Sequence, residues 1–258
     1  MRGAVAARAT VAALLLLLVL SACGGGSSSL PVIFDDADGG VYVSLGDSVA
    51  AGSGASDPAT TSYVGLVAEA LRAKFGDTLT VESLATGGHT TQMLIDGQLD
   101  AAVALLQVGD VRLVTITIGG NDLGIYAADP ACVLDPANPE CPLEDGLLEV
   151  EGRLDTIFGR LREAAPDVPI VVQLYPNLFS GTGHEFTRQA ETAFRLLNGV
   201  IAGVARSYGV LTADPRRAFQ GEGQRLTHLL DDAPDAHPND RGYKAIAEAF
   251  LEELGLSG

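Results

Sequence analysis

The chain has 258 residues, 47% of them hydrophobic, with 33 acidic against 16 basic side chains and a formal net charge of −17. This length suits one domain of ordinary size with a full hydrophobic core. So acidic a surface argues against nucleic acid as a partner and against a polybasic grip on anionic lipids, because both carry the same sign of charge.

Residues 1–22 have the layout of a secretory signal. Arg2 and Arg8 flank the start, Val11 to Leu20 is a Leu-rich apolar core, and Ser21-Ala22-Cys23 follows. The apolar core is too short for a membrane-spanning helix. Leu20-Ser21-Ala22-Cys23 resembles the bacterial lipobox, in which cleavage leaves the cysteine first and its sulfur takes a diacylglyceryl group. An ordinary signal peptide with a chance cysteine is the alternative. Gly24 to Ser29 suits a flexible tether. The expected organisation is a signal peptide over 1–22, a lipidated Cys23 and tether over 23–40, and one folded domain over 41–258. Lipid chains would hold the protein at the extracytoplasmic side of the cell membrane, on its surface and not across it. Losing the signal removes Arg2 and Arg8 and no acid, so the mature chain is more acidic still.

Strand and helix signals then alternate. Val41 to Gly46 is an apolar strand, and Tyr63 to Phe75 has helical spacing of apolar residues and stops near Gly76. Thr78 to Leu84 reads as a second strand and Met93 to Leu106 as an Ala- and Leu-rich helix. Val111 to Ile118 is a β-branched run, the strongest strand signal in the chain. A loop from Tyr126 to Pro142 follows. Gly146 to Ala165 is helical, Val168 to Tyr175 extended, Glu185 to Tyr208 helical, Val210 to Thr212 a short strand and Arg241 to Leu254 a last helix. Apolar strands separated by helices predict an α/β fold with a parallel sheet covered on both faces. Right-handed crossovers line the strand C-termini along one edge, where ligands bind.

Cys132 and Cys141 remain once Cys23 is assigned to lipid. They sit among Pro130, Pro136, Pro139 and Pro142. A disulfide there closes a short loop and contributes about 2–3 kcal/mol at most. Two cysteines without a nearby histidine are too few for zinc, and no metal or phosphate-loop pattern appears elsewhere.

The residues that suggest chemistry fall at predicted strand ends. Gly46-Asp47-Ser48 follows the first strand, where a serine hydroxyl can project from the sheet edge as a nucleophile. Ser53 is a rival in a more flexible stretch. Ala50 stands where the α/β-hydrolase elbow has its second glycine, which speaks against that group. Gly119-Gly120-Asn121-Asp122 follows the third strand. The chain holds four histidines. Of these, His237 is the candidate base, because Pro238 restricts it to extended backbone and Asn239 or Asp240 can cap the helix behind it. The group that orients its ring is left open among Asp235, Asp231 and Asp232. Ser48 and Gly88 can offer backbone N–H groups, and Asn121 a side-chain amide, to an oxyanion.

Taken together, these blocks resemble the SGNH hydrolases, or GDSL esterase/lipase family. Gly46-Asp47-Ser48 matches its first block, and Ser83-Leu84-Ala85-Thr86-Gly87-Gly88 its second. Gly119-Gly120-Asn121-Asp122 matches the third, and Asp235-Ala236-His237-Pro238 the last. The resemblance implies a flavodoxin-like three-layer α/β/α sandwich with about five parallel strands. It implies ester hydrolysis through an acyl-enzyme without cofactor or metal. Ser48 would be nucleophile and His237 base, with Ser48, Gly88 and Asn121 in the oxyanion hole. Two positions depart from the pattern: Ser83 stands where the second block usually begins with Asn, and Pro234 stands where the acid is expected. Asp235, Asp232 or a backbone carbonyl is left to orient His237. The expected substrate is a small ester or an acylated glycan, handled by a monomer. A polysaccharide O-deacetylase uses the same site, although a chain without Trp is poor in stacking platforms. A surface-anchored binding protein without catalysis is the reading from a different class. Transfer of the acyl group to an alcohol is left open.

Overall fold

In the computed structural model, the five expected strands pair into one parallel sheet in the order β2-β1-β3-β4-β5. They are Val41–Gly46 (β1), Thr80–Ser83 (β2), Val111–Thr117 (β3), Ile170–Gln173 (β4) and Leu211–Ala213 (β5). The structure describes residues 32, 34, 37–127, 132, 138, 140–183, 187–233 and 235–257. The signal segment, Cys23 and most of the tether therefore lie outside the described residues, as does Pro234. No helix among the described residues is long and apolar enough to cross a membrane.

Side chains alternate across the strands with period two. Val43, Leu45, Val114, Ile116, Ile170 and Val172 point to one face. There they pack under Leu99–Val108 (α3), Leu143–Ala164 (α5) and Thr187–Ser207 (α6). Tyr42, Leu113, Val171 and Ala213 point to the other, under Tyr63–Phe75 (α1) and Asp240–Glu253 (α9). Residues such as Leu45 and Ile116 are fully buried, and each contributes about 1.5–3 kcal/mol. The result is the expected three-layer α/β/α sandwich.

Strand order positions the site. The chain leaves β1 for β2 on one side and returns to β3 on the other. The connections after β1 and β3 therefore diverge, and a crevice opens at their C-terminal ends. Gly46 makes the turn into it. Its φ is +136°, and a Cβ there would meet the Thr117 carbonyl oxygen at 2.1 Å. The next residue, Asp47, donates its N–H to that same oxygen at 2.9 Å. Its side chain turns inward, where Oδ1 accepts from Val49 N at 2.9 Å and Oδ2 from the Tyr175 hydroxyl at 2.5 Å.

Three elements differ from expectation. The helix expected over Met93 to Leu106 is two, Thr91–Gly97 (α2) and α3, which meet at Gln98. Gly97 weakens the helix at that point, and Gln98 turns its side chain to the end of β1. A helix that the sequence reading does not contain, Gly120–Ala127 (α4), begins directly after β3. Behind β5 come Arg216–Phe219 (α7), Gly223–Leu226 (α8) and an antiparallel pair, Thr227–His228 (β6) and Asp235–Pro238 (β7), too short to carry a periodic signal. Cys132 and Cys141 meet in disulfide geometry with Cα atoms 4.9 Å apart. Most of the loop between them lies outside the described residues.

Two stability effects follow from this junction. Gly46→Ala forces a side chain into a left-handed conformation, which costs on the order of 1–3 kcal/mol before the clash with Thr117 is added. Urea denaturation should show a lower midpoint, and an unchanged midpoint would contradict the constraint. Burial raises the Asp47 carboxyl from 3.8 to about 6, against the opposing pull of the Tyr175 hydroxyl and the Val49 and Ala50 amides. Between those pH values the native state holds more protons than the unfolded chain, so stability falls as pH rises. The penalty is fully present above about pH 6 and absent below pH 3.8. Its size is on the order of 3 kcal/mol. Asp47→Asn should remove this component from a stability–pH curve measured between those limits, and a curve parallel to that of the unaltered chain would refute it.

Candidate active site

Ser48 follows the Gly46 turn, partly exposed at the crevice. The turn is held by Gln98, which is itself buried. Its Oε1 accepts from Gly46 N at 2.8 Å and its Nε2 donates to Gly46 O at 2.8 Å. The second Nε2 proton faces His89 Nδ1 at 2.9 Å. One side-chain amide thus ties the end of β1 to the segment that follows Gly88, with every donor and acceptor used.

His237 reaches Ser48 from the β6–β7 pair. Its Nε2 lies 2.8 Å from Ser48 Oγ, and its Nδ1 lies 2.6 Å from Asp235 Oδ1. The backbone N–H of His237 donates to the same carboxylate oxygen at 3.0 Å. An ionised carboxylate only accepts, so Nδ1 carries the proton and Nε2 presents its lone pair to the serine hydroxyl. Desolvation works against the Asp235 charge, but the His237 N–H and the nearby imidazole outweigh it and hold the carboxyl below its usual range. The other candidates are placed elsewhere. Asp231 Oδ2 binds His228 Nδ1 at 2.6 Å, and Asp232 makes no hydrogen bond or ion pair among the described residues. A backbone carbonyl is not what His237 Nδ1 meets. The extended backbone of β7 sends the Asp235 carboxylate back onto the ring two residues later.

The expected oxyanion donors converge from two loops. Gly88 has φ of +79°, with nothing within 4 Å of where a Cβ would stand, and a Cβ on Gly87 would lie 3.8 Å from Ser48 Cβ. Asn121, in the first turn of α4, donates Nδ2 to the His89 carbonyl at 2.9 Å, which leaves its second amide proton for a ligand. Asp122 fixes the spacing of the two loops, since it accepts from Thr91 N at 2.9 Å and from Thr91 Oγ1 at 2.6 Å. Ser53 does not join the group: its carbonyl accepts from the Tyr243 hydroxyl at 2.6 Å. Sequence reasoning missed Gln98 and Tyr175, neither of which stands in a motif, and offered Asp231 to His237, whereas it meets His228.

Beside this constellation, a cavity of about 500 Å³ opens along the same sheet edge, lined by Asn177, Ser180, Arg195, Arg217 and Phe219. The Tyr175 ring forms part of its wall while its hydroxyl reaches Asp47. The segment from Asn177 to Gly183 thus contributes to this cavity, which Ser48 and His237 do not line. No group of acidic, histidine or cysteine side chains among the described residues is arranged to hold a metal ion.

The arrangement suits nucleophilic attack by a serine on an acyl group. The model of the GDSL-like Lipase/Acylhydrolase family matches residues 44–245. Lipase 1 of Streptomyces coelicolor is 31% identical over 208 residues, covering 72% of each protein. Phospholipase A1 from Streptomyces albidoflavus superposes with a TM-score of 0.64 and 25% identity, over 85% of this chain and 100% of that one. An acetylxylan esterase from Geobacillus stearothermophilus shares the fold with a TM-score of 0.61 at 22% identity, over 85% and 96% of the two chains. With its family blocks brought to one crevice, the chain belongs to the GDSL-like lipase/acylhydrolase family and is a hydrolase of that type.

Proposed function

We propose that the protein hydrolyses carboxylic esters through an acyl-enzyme formed on Ser48. The observation that carries this is the continuous relay from Ser48 Oγ through the His237 ring to Asp235, at 2.8 and 2.6 Å. Ser48 Oγ attacks the ester carbonyl while its proton passes to His237 Nε2. Asp235 stabilises the imidazolium and keeps the ring in place. The oxygen that gains negative charge is bound by the N–H groups of Ser48 and Gly88 and the Asn121 amide. Collapse of the tetrahedral species expels the alcohol, which takes the proton from His237. Water then attacks the acyl-serine, His237 takes its proton, and the acid leaves as Ser48 recovers its hydrogen. Every proton and charge has a protein group to receive it, so the cycle calls for neither metal nor organic cofactor.

The lipase names of the Streptomyces coelicolor and Streptomyces albidoflavus proteins favour acyl-chain esters over acetylated glycans as substrate. The lipobox-like Cys23 supports an exported protein anchored by lipid outside the cell membrane. The close placement of Cys132 and Cys141 supports a disulfide formed in that oxidising compartment.

Ser48→Ala should lower hydrolysis of a short-chain p-nitrophenyl ester by about 10⁴-fold or more and abolish labelling by a fluorophosphonate probe. Retention of full activity would overturn the assignment. Asp235→Asn should lower kcat by about 10²–10⁴-fold, since the ring loses its orienting charge. Asp232→Asn should leave the rate unchanged, and the reverse pattern would move the acid to Asp232.

A further inference from the structure

His228 ends β6, directly opposite Asp235 on β7. Both its ring nitrogens are occupied. Nδ1 meets Asp231 Oδ2 at 2.6 Å, and Nε2 meets the Gly54 carbonyl oxygen at 2.8 Å. A carbonyl oxygen only accepts a hydrogen bond, and so does a carboxylate. A neutral imidazole has one N–H and can serve one of them; the imidazolium has two and serves both. The two contacts hold together only while His228 is charged.

The contacts join two parts of the site. Gly54 lies in the loop that begins at Ser48, where Ser53 N donates to Ser48 O at 2.9 Å. On the other side stands the strand pair that carries His237 and Asp235. The approach is close: a Cβ on Gly54 would lie 2.6 Å from the Pro238 carbonyl oxygen and 3.0 Å from His237 Cβ. Tyr243 and Asp240 tie the same loop to α9, at Ser53 O, Ser56 and Thr61. Among the described residues, the hydrogen bond from His228 is the one that ties it to β6, beside the catalytic ring.

We infer that His228, as an imidazolium, is a positioning residue that ties the Ser48 loop to the β6–β7 pair and thereby sets the hydrogen bond from Ser48 to His237. The inference rests on Ser48 and His237 being nucleophile and base. The charged groups around His228 are Asp231 in the turn, Asp235 and His237 on β7, and Asp240 at the start of α9. Three of the four are carboxylates and favour the cation. The hydrogen bond to Asp231, then that to Gly54, raise the His228 pKa above 6.5, and partial burial opposes them. The tie is therefore intact below the raised value and lost as pH rises through it. Deprotonation of His228 therefore places a limb of the pH–rate profile on the alkaline side.

The test is kcat and KM for p-nitrophenyl butyrate, followed at the isosbestic wavelength from about pH 5 to about pH 10. Asp231→Asn keeps an acceptor for Nδ1–H and removes the charge, so the alkaline limb should move to lower pH with the maximal rate retained. His228→Gln can still donate to Gly54 but not also to Asp231 and does not titrate, so kcat should fall by about tenfold and the alkaline limb should disappear. KM should change little in either variant, because the tie touches the catalytic groups and not the bound ester. An Asp231→Asn profile that superposes on that of the unaltered enzyme overturns the inference, as does His228→Gln with an unaltered rate and limb. If His228→Gln does not fold, the Asp231→Asn profile decides. Ser48→Ala serves as the separate control. If it is inactive while the His228 and Asp231 variants behave as the unaltered enzyme, only the role of His228 fails. If it is active, the reading of the nucleophile fails first.

Discussion

The peptide of Gly46 is the constraint on which the site depends. β1 must end there and turn sharply so that Asp47 faces inward and Ser48 outward. The Thr117 carbonyl leaves no room for a side chain at Gly46, and its oxygen accepts from the following Asp47 N–H. Gln98 clasps both the N–H and the C=O of Gly46 from outside the sheet, as a neighbouring strand would. Such a turn has backbone groups that the sheet no longer pairs, and a buried unpaired amide costs about as much as a lost hydrogen bond. The side-chain amide supplies the partner for the Gly46 N–H and a second donor to its C=O, which also accepts from Thr86 N at 3.0 Å, and it leaves the serine hydroxyl to His237.

The other half of the site is built from short-range pieces. β6 and β7 form only a two-stranded patch, which has little stability by itself. It is held by what surrounds it. Asn239 caps α9 through Arg241 N and Gly242 N and donates back to the carbonyls of Arg225 and Thr227. One side chain thus fixes the start of α9 and the start of β6, and His237 lies between those anchors. The geometry of His237 therefore comes from a helix cap and local hydrogen bonds, whereas that of Ser48 comes from the central sheet. The crevice lies where the two meet.

Much of this was legible in the residues. The apolar and β-branched runs identified all five sheet strands to within two residues; β1, β3 and β4 show because buried parallel strands are nearly continuously apolar, whereas β2 lies exposed at the sheet edge. Ser48, Asn121 and His237 could be picked out because each stands in a short block of turn-forming residues at a strand or helix end. Asp235 was one of several acids in an acidic loop. The family block points to it first, but only the extended backbone of β7, which brings its carboxylate over the ring, separates it from Asp232, a distinction of direction that spacing in the chain does not contain. Gln98 had no signal at all. In a helical Ala- and Leu-rich window it reads as an ordinary solvent-facing residue, and its role depends on a partner 52 positions away.

The sequence by itself determined the layers, the strand edge and the chemical types gathered there, because hydrophobic period and turn chemistry are local properties. Tertiary structure decided which acid meets His237, which side chains clasp the Gly46 turn, and that His228 lies between two acceptors. Those choices depend on hydrogen-bond directions between segments far apart in the chain, set to within a few tenths of an ångström by packing. No local pattern of residues specifies them.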